Sequence, residues 1–312
     1  DSVSHKKKNR LFFSDSLGFD LKDGYFQFRS NRHLVAFKDL EISSTEGSLV
    51  IKELNISRDT SLTHSPDKGW VELNIPLLEI TGLDFTKTLS QQVVLDEIKI
   101  SKSDIIYHPP STSKEQQFDR KELAFRIYEE ISSYFEPVVI KKISLEDASF
   151  RISNFESETL ESFTLPNLSL DLYHIRIDSG SYGQRSPLFF LDDLAMQIQD
   201  QQFVLTETGQ KIRFNSLKLD TRTSDAVISG FEFFPAKPGD TAGRLQFSVP
   251  KIQIQSHSLK QDFLDKALSL KSIALNRPEM NLHGVGMTDT NNHRTFGIYH
   301  LYPLIEDHLK WL

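Results

Sequence analysis

"VAFKDLEI" (residues 35–42) is followed within a few residues by "LVIKELNI" (49–56), and both set large apolar residues at places one, three, six and eight around a polar middle pair. In the first these are Val35, Phe37, Leu40 and Ile42; in the second, Leu49, Ile51, Leu54 and Ile56. The same eight-residue mould returns from 73 with Leu73, Ile75, Leu78 and Ile80, from 93 with Leu95, Ile98 and Ile100, and from 138 with Ile140, Ile143 and Leu145. It returns from 163 with Leu165, Leu168 and Leu170, from 189 with Leu191 and Leu194, and from 212 with Phe214, Leu217 and Leu219. The copies from 247 (Val249, Ile252, Ile254) and 268 (Leu270, Ile273, Leu275) bring the total to ten.

Alternating apolar and polar residues give a strand one greasy and one wet face. Each half of the mould alternates, but the halves are joined by a step of three, which would turn the second half to the wrong face unless the strand bulges. The kink pair is charged, Asn- or Pro-containing in nearly every copy; Pro76, Pro166 and Pro250 lack the amide that a flat ladder uses. The mould therefore predicts bent strands with one continuous apolar face, and bends at a common height would curve the sheet into a trough lined by the mould residues. Further strands are predicted at "YFQF" 25–28, "DIIYH" 104–108, "SFRI" 149–152, "QFVL" 202–205, "VISGFEFF" 227–234 and "EMNLH" 279–283, about sixteen in all. A two-sheet sandwich needs similar alternation but fewer strands, so the count favours an open repeat array.

A longer echo lies over the mould. The stretch from 73, "LNIPLLEITGLDFTKTLSQQVVLDEIKISKSDIIYH", matches the one from 247, "FSVPKIQIQSHSLKQDFLDKALSLKSIALNRPEMNLH", at an offset of 174 residues before a short helical piece and 175 after it. Pro76 meets Pro250, Leu95 meets Leu270 and His108 meets His283. An amphipathic helix follows each, at 119–135 and 296–312; Leu123, Ile127, Ile131 and Phe135 form one face of the first, fit to cap a sheet. The first helix leads into "VVIKKISL", whereas the sequence stops where the second would do so. The expected organisation is an incoming segment at 1–23 and a β-domain over 24–312 that is a fragment of a longer array.

With 36 basic and 43 acidic residues the chain has no overall positive field for nucleic acid or an anionic membrane, and its one basic run, "HKKKNR" 5–10, reads as a solvated tail. Cysteine is absent, which removes disulfides, thiol nucleophiles and Cys-ligated zinc. No apolar run is long enough for a membrane helix, and the first ten residues carry no signal-peptide pattern. None of the ten histidines sits in a paired zinc spacing, and no nucleophile elbow, P-loop or dinucleotide fingerprint occurs. "SGSYG" 179–183 reads as a turn, and the acidic pairs Asp96–Glu97 and Asp192–Asp193 fall on mould kinks. The sequons at Asn55 and Asn167 lie inside predicted strands. The reading is of a non-enzyme without cofactor or metal.

The repeated "LxIxxLxI" strands and the helical link "GLDFTKTLSQQVVLDEIKI" resemble the AsmA-like and TamB-like envelope proteins, notably the periplasmic versions of Bacteroidota, over roughly 24–312. The resemblance implies a mostly β fold, a long, curved, taco-like, antiparallel-rich groove with short amphipathic helices capping it. It further implies a periplasmic chain anchored in the inner membrane by a segment outside this sequence, carrying phospholipid acyl chains on the mould residues toward the outer membrane. Membrane contact then runs through other parts of the protein, and no nucleic acid is involved. Sixteen strands would make a groove about 70 Å long. The competing expectation is a structural or adhesive β-repeat whose interior is filled by its own side chains.

Overall fold

The computed structural model describes residues 16–27, 33–58, 69–109, 128–129, 131–153, 163–180, 190–205, 210–234, 244–265 and 269–283. Nearly all of the alternating segments are strands: β1 (Gly18–Gln27), β2 (His33–Ser43), β3 (Ser48–Arg58), β4 (Trp70–Thr81), β5 (Val93–Ser101), β6 (Asp104–His108) and β7 (Val138–Ile152). After them come β8 (Thr164–Ile177), β9 (Asp193–Val204), β10 (Lys211–Asp220), β11 (Asp225–Phe234), β12 (Arg244–Ser256), β13 (Leu270–Asn276) and β14 (Glu279–His283). Short helices α1 (Phe85–Thr88) and α2 (Leu259–Asp265) interrupt them. The fourteen strands form a single mixed sheet, twelve of them in the order β1-β2-β3-β4-β5-β7-β8-β9-β10-β11-β12-β13, with β6 beside β4 and β7 and β14 beside β12. Among the described residues the sheet begins at Gly18.

Two pairs of expected strands fuse, which is why fourteen form rather than sixteen. "SFRI" continues β7 and "QFVL" continues β9, because Asp147 (φ 50°) and Asp200 (φ 51°) take the left-handed conformation and carry the chain through the kink. Where Lys102 and Arg277 do the same beside Ser103 and Pro278, the strand breaks, giving β5/β6 and β13/β14.

The two-against-one bulge expected forms between β7 and β8, where the steps Leu145 to Ala148 and Leu168 to Leu165 each carry one residue more than the strand opposite, but most other kinks differ from it. Asp23 (φ 52°) faces Lys38, since Lys22 pairs Asp39 and Gly24 pairs Phe37, and the two strands spend equal numbers of residues there. By the same reckoning Glu53 faces Pro76, Asp200 faces Asn215 and Gly230 faces Pro250. One strand turns its phase with a left-handed residue while its neighbour turns at the polar pair of the mould, so both apolar faces stay on one side without an inserted residue. The register itself shifts only in β7–β8 and β12–β13 among the described pairings.

The long repeat is reproduced to the residue. β5 and β6 both pair antiparallel with β4, and β13 and β14 both pair with β12 in the equivalent register: Leu78↔Ile100 becomes Ile252↔Leu275, and Trp70↔His108 becomes Arg244↔His283. The helix caps repeat as well. Asp84 Oδ1 accepts from the Lys87 amide (3.1 Å) at the start of α1, and Ser258 Oγ accepts from the Gln261 amide (3.3 Å) at the start of α2. β7 then lies parallel to β5 and β6, with Leu95 against Ile140, Ile100 against Leu145 and Ile105 against Phe150. This is the parallel seam in an otherwise antiparallel sheet.

Candidate functional site: the apolar face

Cross-strand pairing turns the scattered mould residues into rows. Leu21, Leu40, Ile51, Leu78, Ile100 and Leu145 are successive partners on β1 to β7. Leu170, Met196, Leu219, Ala226, Ile254 and Ile273 continue the row on β8 to β13 without a gap. At the usual strand spacing this twelve-residue line runs about 50 Å from one edge of the sheet to the other.

Beside it lie shorter rows. One runs Ile42, Leu49, Ile80, Ile98, Ile143, Leu172, Leu194, and another runs Leu168, Ile198, Leu217, Ile228, Ile252, Leu275. A third runs Val35, Ile56, Leu73, Ile105, Phe150, Leu165. The mould's alternation requires this, because residues of one parity share a face and the kink row keeps the parity aligned from strand to strand.

Three clusters form the floor of this face. Phe37, Leu54 and Ile75 are buried in one, Leu165, Ile198 and Phe214 in another, and Leu95, Val138, Ile140, Ile175, Ile177 and Phe190 in the third. Tyr128, Ile131 and Phe135 pack on the third, so the described end of the 119–135 helical segment covers the centre of the sheet as expected. Leu123, Ile127, the 296–312 helix and the 5–10 basic run lie outside the described residues. The long row is less covered than the clusters: Leu40, Ile51, Leu78 and Ile100, which pack against the first cluster, are only part-buried, as are Leu145, Leu170 and Leu219.

The final mould copy has a different environment from the rest. Leu270 is 43%, Ile273 53% and Leu275 48% exposed, because β13 is an edge strand, whereas the equivalent Leu95 is 4% exposed under the cover of β7. Eight contributors to the rows are not among the face residues assigned from sequence: Leu21, Ile105, Phe150, Leu172, Met196, Ile198, Ala226 and Ile228. Leu21 sits in "FDLKDGYF", whose alternation is short, Met196 closes a mould copy already in hand, and Ala226 is too small to register as a mould residue.

The opposite face is polar. On it Ser144, 1% exposed, donates to Asp171 Oδ1 (2.6 Å), and its oxygen also stands 3.1 Å from Glu97 Oε1. Lys142 reaches Asp171 (3.1 Å) and Glu97 (3.5 Å), Tyr173 donates to Asp171 Oδ2 (3.1 Å), and the Arg222 guanidinium lies over the Tyr173 ring at 4.2 Å. Burial works to raise the Asp171 pKa, but the hydrogen bonds from Ser144 and Lys142 outweigh it and hold the carboxyl below its ordinary value. A shallow depression of about 420 Å³ adjoins the cluster, between Lys142, Asp171, Gln197, Lys218 and Asp220. The Ser144 hydroxyl is turned to carboxylates without a histidine in the group, and among the described residues no His, Asp and Glu set is disposed to hold a metal ion. Among the same residues no helix is long and apolar enough to cross a membrane.

No family model matches the chain, and no curated protein matches it.

Proposed function

We propose that this chain is a non-enzymatic lipid-binding surface, on which phospholipid acyl chains lie along the apolar face while head groups stay in water. The observation that carries the reading is the unbroken twelve-residue aliphatic row, Leu21 to Ile273, most of it part-buried. A patch of this extent on a soluble surface calls for a ligand. Each methylene withdrawn from water contributes about 0.8 kcal/mol, so two acyl chains on such a row are held without a shaped pocket, and selectivity among lipids is low.

Curvature of the sheet into a trough belongs to this proposal. So does its setting, drawn from the resemblance of the strand pattern to AsmA-like and TamB-like proteins: the periplasm of a Gram-negative envelope, phospholipid passing between inner and outer membranes, and anchorage through parts of the protein outside this sequence.

The test is mass spectrometry of organic extracts from the purified chain, compared with Leu78→Asp. Leu78 lies mid-row on β4 and is part-buried, so the new carboxylate reaches water at modest cost to folding. Copurifying phospholipid that falls several-fold in Leu78→Asp, with the circular dichroism of the wild type kept, supports the reading. A lipid-free wild type, or Leu78→Asp that unfolds outright as a sealed core would, overturns it.

A further inference from the structure

The two repeats differ in what covers their last strand. In the first, β5 and β6 are covered by β7 in parallel; in the second, β13 and β14 occupy the same places against β12 with their outer edge open among the described residues. The uncovered residues are equivalents of those that β7 adjoins in the first repeat, where Leu95 is buried and Ile105 part-buried. Leu270 and Met280, 43% and 44% exposed, stand where Leu95 and Ile105 face Ile140 and Phe150. An open, apolar strand edge with its backbone groups unpaired is a template for an added strand.

From this equivalence we infer that the β13–β14 edge is a docking site for a strand of a partner polypeptide, added in parallel in the register that β7 takes on β5 and β6. Charge narrows the partner. On β5, Asp96 is met by Lys141 at 2.6 Å. The matching residue of β13 is Lys271, exposed, so the partner carries Asp or Glu where β7 carries Lys141. Lower on the edge the chemistry is unchanged: Glu279 stands in the place of Asp104, which accepts from Ser149, so a hydroxyl donor fits there in both repeats. The occupant is thus a strand of about fifteen residues with β7's apolar spacing, an acid four places in and a Ser or Thr near its end. A second copy offering its own β7 sequence would set lysine on lysine.

The probes are two fluorescent peptides spanning 136–153 of this chain, one unaltered and one with Lys141→Glu, titrated onto the full chain and onto its Lys271→Glu variant. Lys271 is exposed and on an edge, so the variant keeps the fold. The expected result is that the Lys141→Glu peptide binds the unaltered chain about fivefold more tightly than the unaltered peptide, and that Lys271→Glu reverses the order. Hydrogen exchange then slows at 270–283 and not at 18–27. Failure of both peptides to bind at millimolar concentration, an order indifferent to Lys271→Glu, or protection at β1 instead overturns the inference. So does a dimer of the chain that Lys271→Glu dissolves and neither peptide displaces, which would make the edge a self-association site.

Discussion

Aspartate does two different things in this sheet. At Asp200 the backbone sits at φ 51°, a conformation that costs an ordinary side chain about 1–2 kcal/mol and glycine almost nothing, and the neighbouring kink position across β10 and β11 is in fact Gly230. Asp200→Gly is expected to leave stability unchanged or raise it by up to about 1 kcal/mol, and Asp200→Val to lower it by about 1–2 kcal/mol, both read from urea unfolding. Asp171, by contrast, acts through its charge. Its folded pKa lies below the unfolded value, so the stability it contributes is present above the ordinary carboxylate range and is lost as pH falls through the lowered folded value. The thermal midpoint should therefore fall below about pH 4, and fall less steeply in Asp171→Asn, which has no proton to take up. A midpoint profile of equal slope in the two proteins would remove Asp171 from the account.

Among the elements, the short helices are the parts whose local signals are plainest. Asp84 and Ser258 occupy the same place in the two repeats, and each caps the amide three residues on. Loss of the hydroxyl in Ser258→Ala should cost about 1 kcal/mol, measurable by denaturant titration; because Asp262 on α2 also accepts from Ser269 Oγ (2.6 Å), the helix should stay in place rather than detach. The strands were legible for a related reason: a period-two pattern broken by a fixed step of three needs no tertiary information to be seen, and the shared apolar face followed from it. The handling of the step was not legible. Whether a kink takes an extra residue depends on the strand opposite, and Asp23 against Lys38 shows two strands turning phase together, a fact that lives in pairs of segments. The same dependence explains why "SFRI" and "QFVL" could not be seen to fuse with the strands before them.

At the scale of the whole molecule, the sequence carried the repeat and its offset but not the parallel seam. Nothing in "PVVIKKISL" distinguishes a strand that enters parallel from one that enters by a hairpin, and the decision rests with the connection from His108 to Val138. Much the same holds for the apolar face: its residues were legible one by one, yet their alignment into a single line is a property of registers set by turns such as Ser43–Ser48, where Gly47 supplies φ 61°.

That seam also bears on the order in which the chain assembles. On either side of it neighbours in space are neighbours in sequence, β1 through β4 and β7 through β12, so each side can zip hairpin by hairpin on a fast timescale. Joining β7 to β5 and β6 instead requires closing the 109–137 connection before any pairing is gained. The two meanders should thus acquire protection early in pulse-labelled refolding, with only the amides that β5, β6 and β7 bond across the seam maturing last, and during synthesis the first meander can be complete before the second has left the ribosome.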